Sequence, residues 1–199
     1  MKNKVLLTSV LFVMASSSVF SSQTFCKTLD DKNVVLKANG TWNYTDSNVY
    51  KKSVDAKSVA KSKKNSLCVW FDDKTWTKSK NQINDNSEFS FSMNDGTGYA
   101  IMINEQVGVS HRLMRNTIID YTRNLEDSRI VCEESRIVNN LPVTYYEIHG
   151  TYEGTNAQYL LYVFNGEDET TQLVAFTLGN KLPKVKNHLE EFINGLSKS

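Results

Sequence analysis

The feature that most constrains this chain is a run of alternating apolar and polar segments between Leu67 and Leu178, broken at short intervals by residues that turn a strand back on itself. Period-two alternation puts one set of side chains on each face of a pleated strand. Asn94-Asp95-Gly96, Asn139-Asn140, Glu153-Gly154 and Asn165-Gly166 supply the backbone freedom that tight hairpins need. Leu67 to Phe71 with Trp76 nearby, Glu88 to Met93, Tyr99 to Gln106, Arg129 to Val138, Val143 to Tyr152, Gln158 to Asn165 and Thr171 to Leu178 therefore read as strands of a mainly antiparallel meander. Ser110 can cap a helix in which Leu113, Met114, Ile118, Tyr121 and Leu125 form one apolar stripe that should lie on the sheet. Pro183 stands near the start of a last segment whose Leu182, Val185, Leu189, Phe192, Ile193 and Leu196 share a helical face. One sheet with two amphipathic helices packed on it predicts an α+β layered architecture rather than a doubly wound parallel sheet.

Upstream of Leu67 the texture is different. Met1 to Lys4 is a short positive segment and Val5 to Met14 an apolar run too short to span a bilayer, the pattern of a secretory leader. Small residues from Ala15 to Ser22 place cleavage after Ser21, which predicts an exported, periplasmic or secreted protein. Phe25 before Cys26 does not resemble the small residue that a lipid-anchoring signal requires, so a free protein without stable membrane insertion is expected. Thr24 to Leu29, Asn33 to Lys37 and Thr41 to Tyr44 read as a small β-meander, with Asn39-Gly40 as a hairpin turn. Asp46 to Ser66 is rich in Ser and Lys and suits a solvated linker. The expected organisation is a signal peptide over 1–21, a β-hairpin module over 22–45, a polar linker over 46–66 and an α+β domain over 67–199.

Charge and motifs remove several classes of function. The formal net charge is +1, and the leader's loss of Lys2 and Lys4 keeps the mature chain near neutral, which disfavours nucleic acid as a partner. His111, His149 and His188 stand in no zinc-ligand spacing, and no nucleophile elbow, phosphate-cradling loop or dinucleotide turn occurs. No cofactor and no metal are expected. Three cysteines survive leader removal, so an oxidising compartment allows one internal disulfide and leaves one thiol over; Cys26 to Cys68 is the favoured bridge and Cys132 reads as a core thiol.

Aromatic residues are the remaining signal. Tyr145, Tyr146, Tyr152, Tyr159, Tyr162 and Phe164 crowd two neighbouring strands and put rings on both faces of the sheet. Cross-strand core packing accounts for them; the sharper expectation is a helix-free strip beside Tyr145, Tyr152 and Tyr162 that binds a partner through aromatic burial. An enzyme would instead bring Glu147 and His149, on one face of one strand, together in an enclosed pocket.

The strings RIVNNLPVTYYEIHGTYEG from Arg136, TTQLVAFTLGN from Thr170 and EEFINGL from Glu190 resemble the hairpin, strand and helix ends of PsbP-like and DcrB-like exported bacterial proteins over about Leu67 to Ser199. VVLKANGTWNY from Val34 is similar to a short β-hairpin module that precedes other domains in bacterial secreted proteins. The resemblance implies a PsbP-like fold, export and a non-enzymatic binding or assembly role in the cell envelope, with an envelope protein or complex as partner. The alternatives are a periplasmic carrier of a small amphiphilic ligand and, further off, a hydrolase using Glu147 and His149.

Overall fold

The computed structural model of the chain describes residues 24–27, 33–36 and 42–44 by their backbone and residues 49–123 and 125–199 in full. The chain divides into two compact units, Met1–Thr45 and Asp46–Ser199. The first contains a three-stranded sheet of β1 (Thr24–Lys27), β2 (Asn33–Leu36) and β3 (Trp42–Tyr44), paired antiparallel in the order β1-β2-β3. The signal peptide expected over 1–21 lies outside the described residues.

The second unit is built on an eight-stranded sheet. Its strands are β4 (Val49–Tyr50), β7 (Trp76–Lys78), β8 (Phe89–Met93), β9 (Tyr99–Glu105), β10 (Glu126–Val138), β11 (Leu141–Tyr152), β12 (Thr155–Asn165) and β13 (Thr170–Leu178), in the spatial order β4-β10-β11-β12-β13-β9-β8-β7. Every pairing is antiparallel except the short β4 to β10 contact. The turns fall where the sequence put them. Asn139 and Asn140 both take positive φ, at 47° and 67°, in the β10–β11 hairpin, and Gly96 does so at 70° between β8 and β9. A side chain at either asparagine position is tolerated in this conformation because a short amide can bond locally.

Helix α1 (His111–Thr122) packs on one face of the sheet and α2 (Leu182–Ile193) on the other. Ser110 caps α1 as expected, its hydroxyl accepting from the Leu113 amide. The stripe predicted for α1 is only half used: Met114 and Ile118 are buried, but Leu113 and Tyr121 are 57% and 59% exposed. The whole stripe predicted for α2 is buried, with Leu196 lying beyond the helix in β14 (Leu196–Lys198). A second, three-stranded sheet of β14, β6 (Leu67–Phe71) and β5 (Ser58–Lys61), in that order, lies beside α2. Phe71 of this sheet meets Phe91 of β8 edge-on at 5.2 Å and Phe192 of α2 at 6.4 Å.

The stretch 46–66, expected to be a solvated linker, belongs to the second unit and is ordered into strands from Val49 on. Ala56 and Ala60 are buried in it, and β5 pairs with β6 from Ser58↔Phe71 to Lys61↔Cys68. Its polar residues serve hydrogen bonds to the body. The Ser62 hydroxyl and the Lys63 amide both donate to the Glu88 carboxylate at 2.7 Å, and the Asn65 amide donates to Thr171 and Asn104 at 2.8 and 3.2 Å. Composition signals solvation only where such partners are missing.

Candidate binding groove

The two faces of the large sheet are covered unequally. On the α2 face, the helix and the small sheet together close one core, from Trp76 and Phe91 through Leu160 and Tyr162 to Leu189 and Phe192. On the other face, among the described helices, α1 alone packs on the strands, over Tyr146, Ile148, Leu161 and Val163. Alternation along the strands fixes which side chains fall on which face.

Tyr145 and Tyr162 face α2. They are 1% and 0% exposed, their rings 5.8 Å apart and edge-on, so the helix-free aromatic strip expected beside them does not exist. The physical reason is that α2 lies over them. Tyr152, the third member, stands at the end of β11 and is 49% exposed, away from the other two. Arg136 lies against these rings, with its guanidinium carbon 3.5 Å from the centre of the Tyr145 ring, 4.4 Å from that of the half-buried Tyr50 and 5.8 Å from that of Tyr162. Arg136 also donates to the Tyr162 hydroxyl at 3.1 Å, and that hydroxyl donates onward to Asn194 Oδ1 at 2.7 Å. Burial, only partly offset by the Arg136 contact, leaves the Tyr162 phenol pushed up to about 12.

Glu147 and His149 do meet, at 2.9 Å between Glu147 Oε1 and His149 Nε2. Lys186 of α2, which nothing in the sequence singled out, closes the other side of the carboxylate at 2.8 Å, and the Tyr145 hydroxyl donates to it at 3.3 Å. Burial raises the Glu147 pKa, but Lys186 and then His149 outweigh it, so the carboxyl sits below its ordinary value. A carboxylate held charged by a lysine and a histidine is a poor proton acceptor, and its hydrogen-bonding capacity is taken up by neighbours. Among the described residues no group of three His, Cys, Asp or Glu side chains is placed to hold a metal ion. Cys68 is a buried free thiol whose Sγ lies 3.2 Å from Ser197 Oγ; the bridge expected to Cys26 involves a side chain outside the described residues. Cys132 is half-buried, and burial followed by the nearby Glu134 charge raises its thiol pKa.

The open part of the α1 face forms a groove of about 260 Å³. Ile101 and Ile103 of β9, Val174 of β13, Leu161 and Tyr159 of β12 and Ile148 of β11 make its floor, and Ile118, Tyr121 and Leu125 of the α1 region make one wall. Besides the phenols of Tyr121 and Tyr159 its polar lining is Asn84, Asn86, Thr122 and Gln172, with no acid, lysine, arginine or histidine. Beside it Tyr99, Phe176 and Tyr159 stack in a row, ring centres 5.5 and 5.4 Å apart. Tyr159 and the α1 residues stood out in the sequence for other reasons, but Ile101, Ile103, Val174 and Gln172 were not picked out from it. The signal was present: β9, β12 and β13 carry apolar residues on both faces, while one of the two helices has too narrow a stripe to cover such a surface.

No protein-family model matches the chain, and no curated protein matches it in sequence. In structure it is similar to cyanobacterial PsbP (CyanoP) from Synechocystis sp. PCC 6803, at 9% identity and a TM-score of 0.55 over 74% of this chain and 95% of that one. A protein from Bacteroides thetaiotaomicron VPI-5482 is 13% identical with a TM-score of 0.46, over 67% of this chain and 45% of that one. LpqN, involved in cell envelope biogenesis of Mycobacterium tuberculosis, is 9% identical with a TM-score of 0.40, over 70% and 83% of the two chains. The chain has a PsbP-like fold, of the α+β class with a helix on each face of a mainly antiparallel sheet. Among the described residues no helix is long and apolar enough to cross a membrane.

Proposed function

We propose that this protein is an exported, non-enzymatic binding module of the cell envelope, and that it binds through the groove beside α1. The observation that carries the proposal is the contrast between the two faces of one sheet. On the α2 face the Glu147 carboxylate is taken up by hydrogen bonds from Lys186 and with His149; on the other face the groove is lined by apolar and uncharged side chains. An apolar recess with a few polar groups is suited to holding a ligand and lacks the acid, base or nucleophile that chemistry needs. Its size favours a small amphiphilic ligand over a protein partner, since a protein interface requires a far larger surface than such a recess offers. The leader-like composition of Met1 to Ser21 supports export.

Two measurements test the proposal. N-terminal sequencing of the protein recovered from envelope fractions should find a chain beginning near Ser22, and a chain retaining Met1 would refute export. The mature protein should enhance the fluorescence of N-phenylnaphthylamine, a neutral apolar dye, and Ile103→Arg, which places a charge on the groove floor, should abolish the effect. Equal enhancement by both proteins would place binding elsewhere.

A further inference from the structure

Gln172 is out of keeping with its surroundings. It lies on β13 with Ile103 and Val163 as its cross-strand neighbours, and it is 9% exposed. Its side chain lines the groove and makes no hydrogen bond with any described residue. The other polar lining groups differ from it. The Thr122 hydroxyl is committed to the Ile119 carbonyl at 2.7 Å, and Asn84 and Asn86 are exposed at the mouth. A primary amide has two donors and an acceptor with two lone pairs, so an unpaired one on an apolar floor is costly unless water or a ligand completes it.

We infer that the groove takes a small uncharged ligand that presents a hydrogen-bond donor and acceptor side by side, as a primary amide or lactam edge does, to Gln172. The inference rests on the groove being the binding site and adds the chemistry of its occupant. Size limits the ligand to about two or three rings, since a cavity of about 150 Å³ walled by Leu, Ile and Phe takes a benzene and this open groove is larger. The absence of any charged lining residue excludes an ion, which would enter without a counter-charge. A plain hydrocarbon would expel water from the groove and leave the Gln172 amide unpaired. A ligand whose amide edge replaces that water keeps both bonds.

The test uses the mature protein with N-phenylnaphthylamine bound, and two competitors of equal size and shape, benzamide and acetophenone. Acetophenone can accept from Gln172 but cannot donate to it. Benzamide should displace the dye at roughly tenfold lower concentration than acetophenone, the value of one additional well-placed hydrogen bond. In Gln172→Met, which keeps the side-chain length but removes the amide, that difference should disappear while the dye still binds. Gln172→Leu serves as the second variant, with circular dichroism confirming that each protein is folded. Equal displacement by the two competitors in the unaltered protein overturns the inference, as does a preference for benzamide that survives both substitutions. Either result leaves the groove intact as a binding site provided the dye remains sensitive to Ile103→Arg. Loss of that sensitivity brings down the binding proposal itself.

Discussion

Arg136 carries a full charge into the core of the second unit, where its side chain is 9% exposed and its carboxylate partner, Glu134, is 36% exposed. The tyrosine rings it lies against and the Tyr162 hydroxyl replace the water it has lost. Arg136→Ala should therefore lower unfolding stability by about 3 kcal/mol, because it empties the space beside these rings and leaves the Tyr162 hydroxyl without its donor. Arg136→Lys should recover only part of this loss, since an ammonium lacks the flat stacking surface of guanidinium; urea denaturation at neutral pH measures both. At Glu147 the direction with pH follows from the lowered pKa. Its charged form is favoured in the folded state, so its contribution is complete above the ordinary value of 4.5 and is lost as the pH falls through the lower folded value. Glu147→Gln should flatten the acid limb of the stability profile, and an unchanged slope would show that Lys186 and His149 do not hold that charge. Single residues were the least legible level of the sequence. Glu147 and His149 share a strand face by simple alternation, but Lys186 reaches them from a helix 39 residues downstream of Glu147, a distance that no local pattern spans.

Elements were legible where their cause was local. Asn139-Asn140 and Asn94-Asp95-Gly96 announce their hairpins because positive φ selects residue type, and Ser110 announces α1 because an unpaired first turn selects a hydroxyl. The alternation in β11 and β12 identified strands but could not say that α2 would cover the face bearing Tyr145 and Tyr162. The short strands β5 and β14 were missed because neither has an alternating signature of its own and each exists by pairing with β6. That pairing depends on one close approach. A side-chain carbon at Gly195 would stand 1.9 Å from the Trp70 carbonyl oxygen, and the Trp70 amide donates to Gly195 O at 3.0 Å. Gly195→Ala should push β14 off β6 and cost about 3 kcal/mol, with hydrogen exchange rising first at Trp70. If amide protection at Trp70 is unchanged in that variant, the close approach is not what limits the site.

For the whole molecule, the end of the expected N-terminal module at residue 45 coincides with the unit boundary, while the shift in sequence texture at Leu67 falls inside the second unit, because a polar stretch that bonds to a core reads like one that does not. With the division at Asp46, a fragment of residues 46–199 contains every residue that lines the groove and all of both helices. It should fold alone, unfold in a single transition and bind N-phenylnaphthylamine as tightly as the full chain, whereas a fragment starting at Leu67 should lose the β5 edge and be less stable. Matching unfolding midpoints for the two fragments would restore the later boundary.

The pairing of β6 with β14 also bears on when the molecule can fold. Cys68 and Ser197, neighbours across those strands, are separated by 129 positions, so β6 leaves the ribosome long before the strand that completes it has been made. Until then one side of β6 lacks its partner and the aromatic cluster around Phe192 has no helix to close on it. The second unit therefore stays open until β14 has been made, and its native state forms only afterwards, an order compatible with the export proposed above.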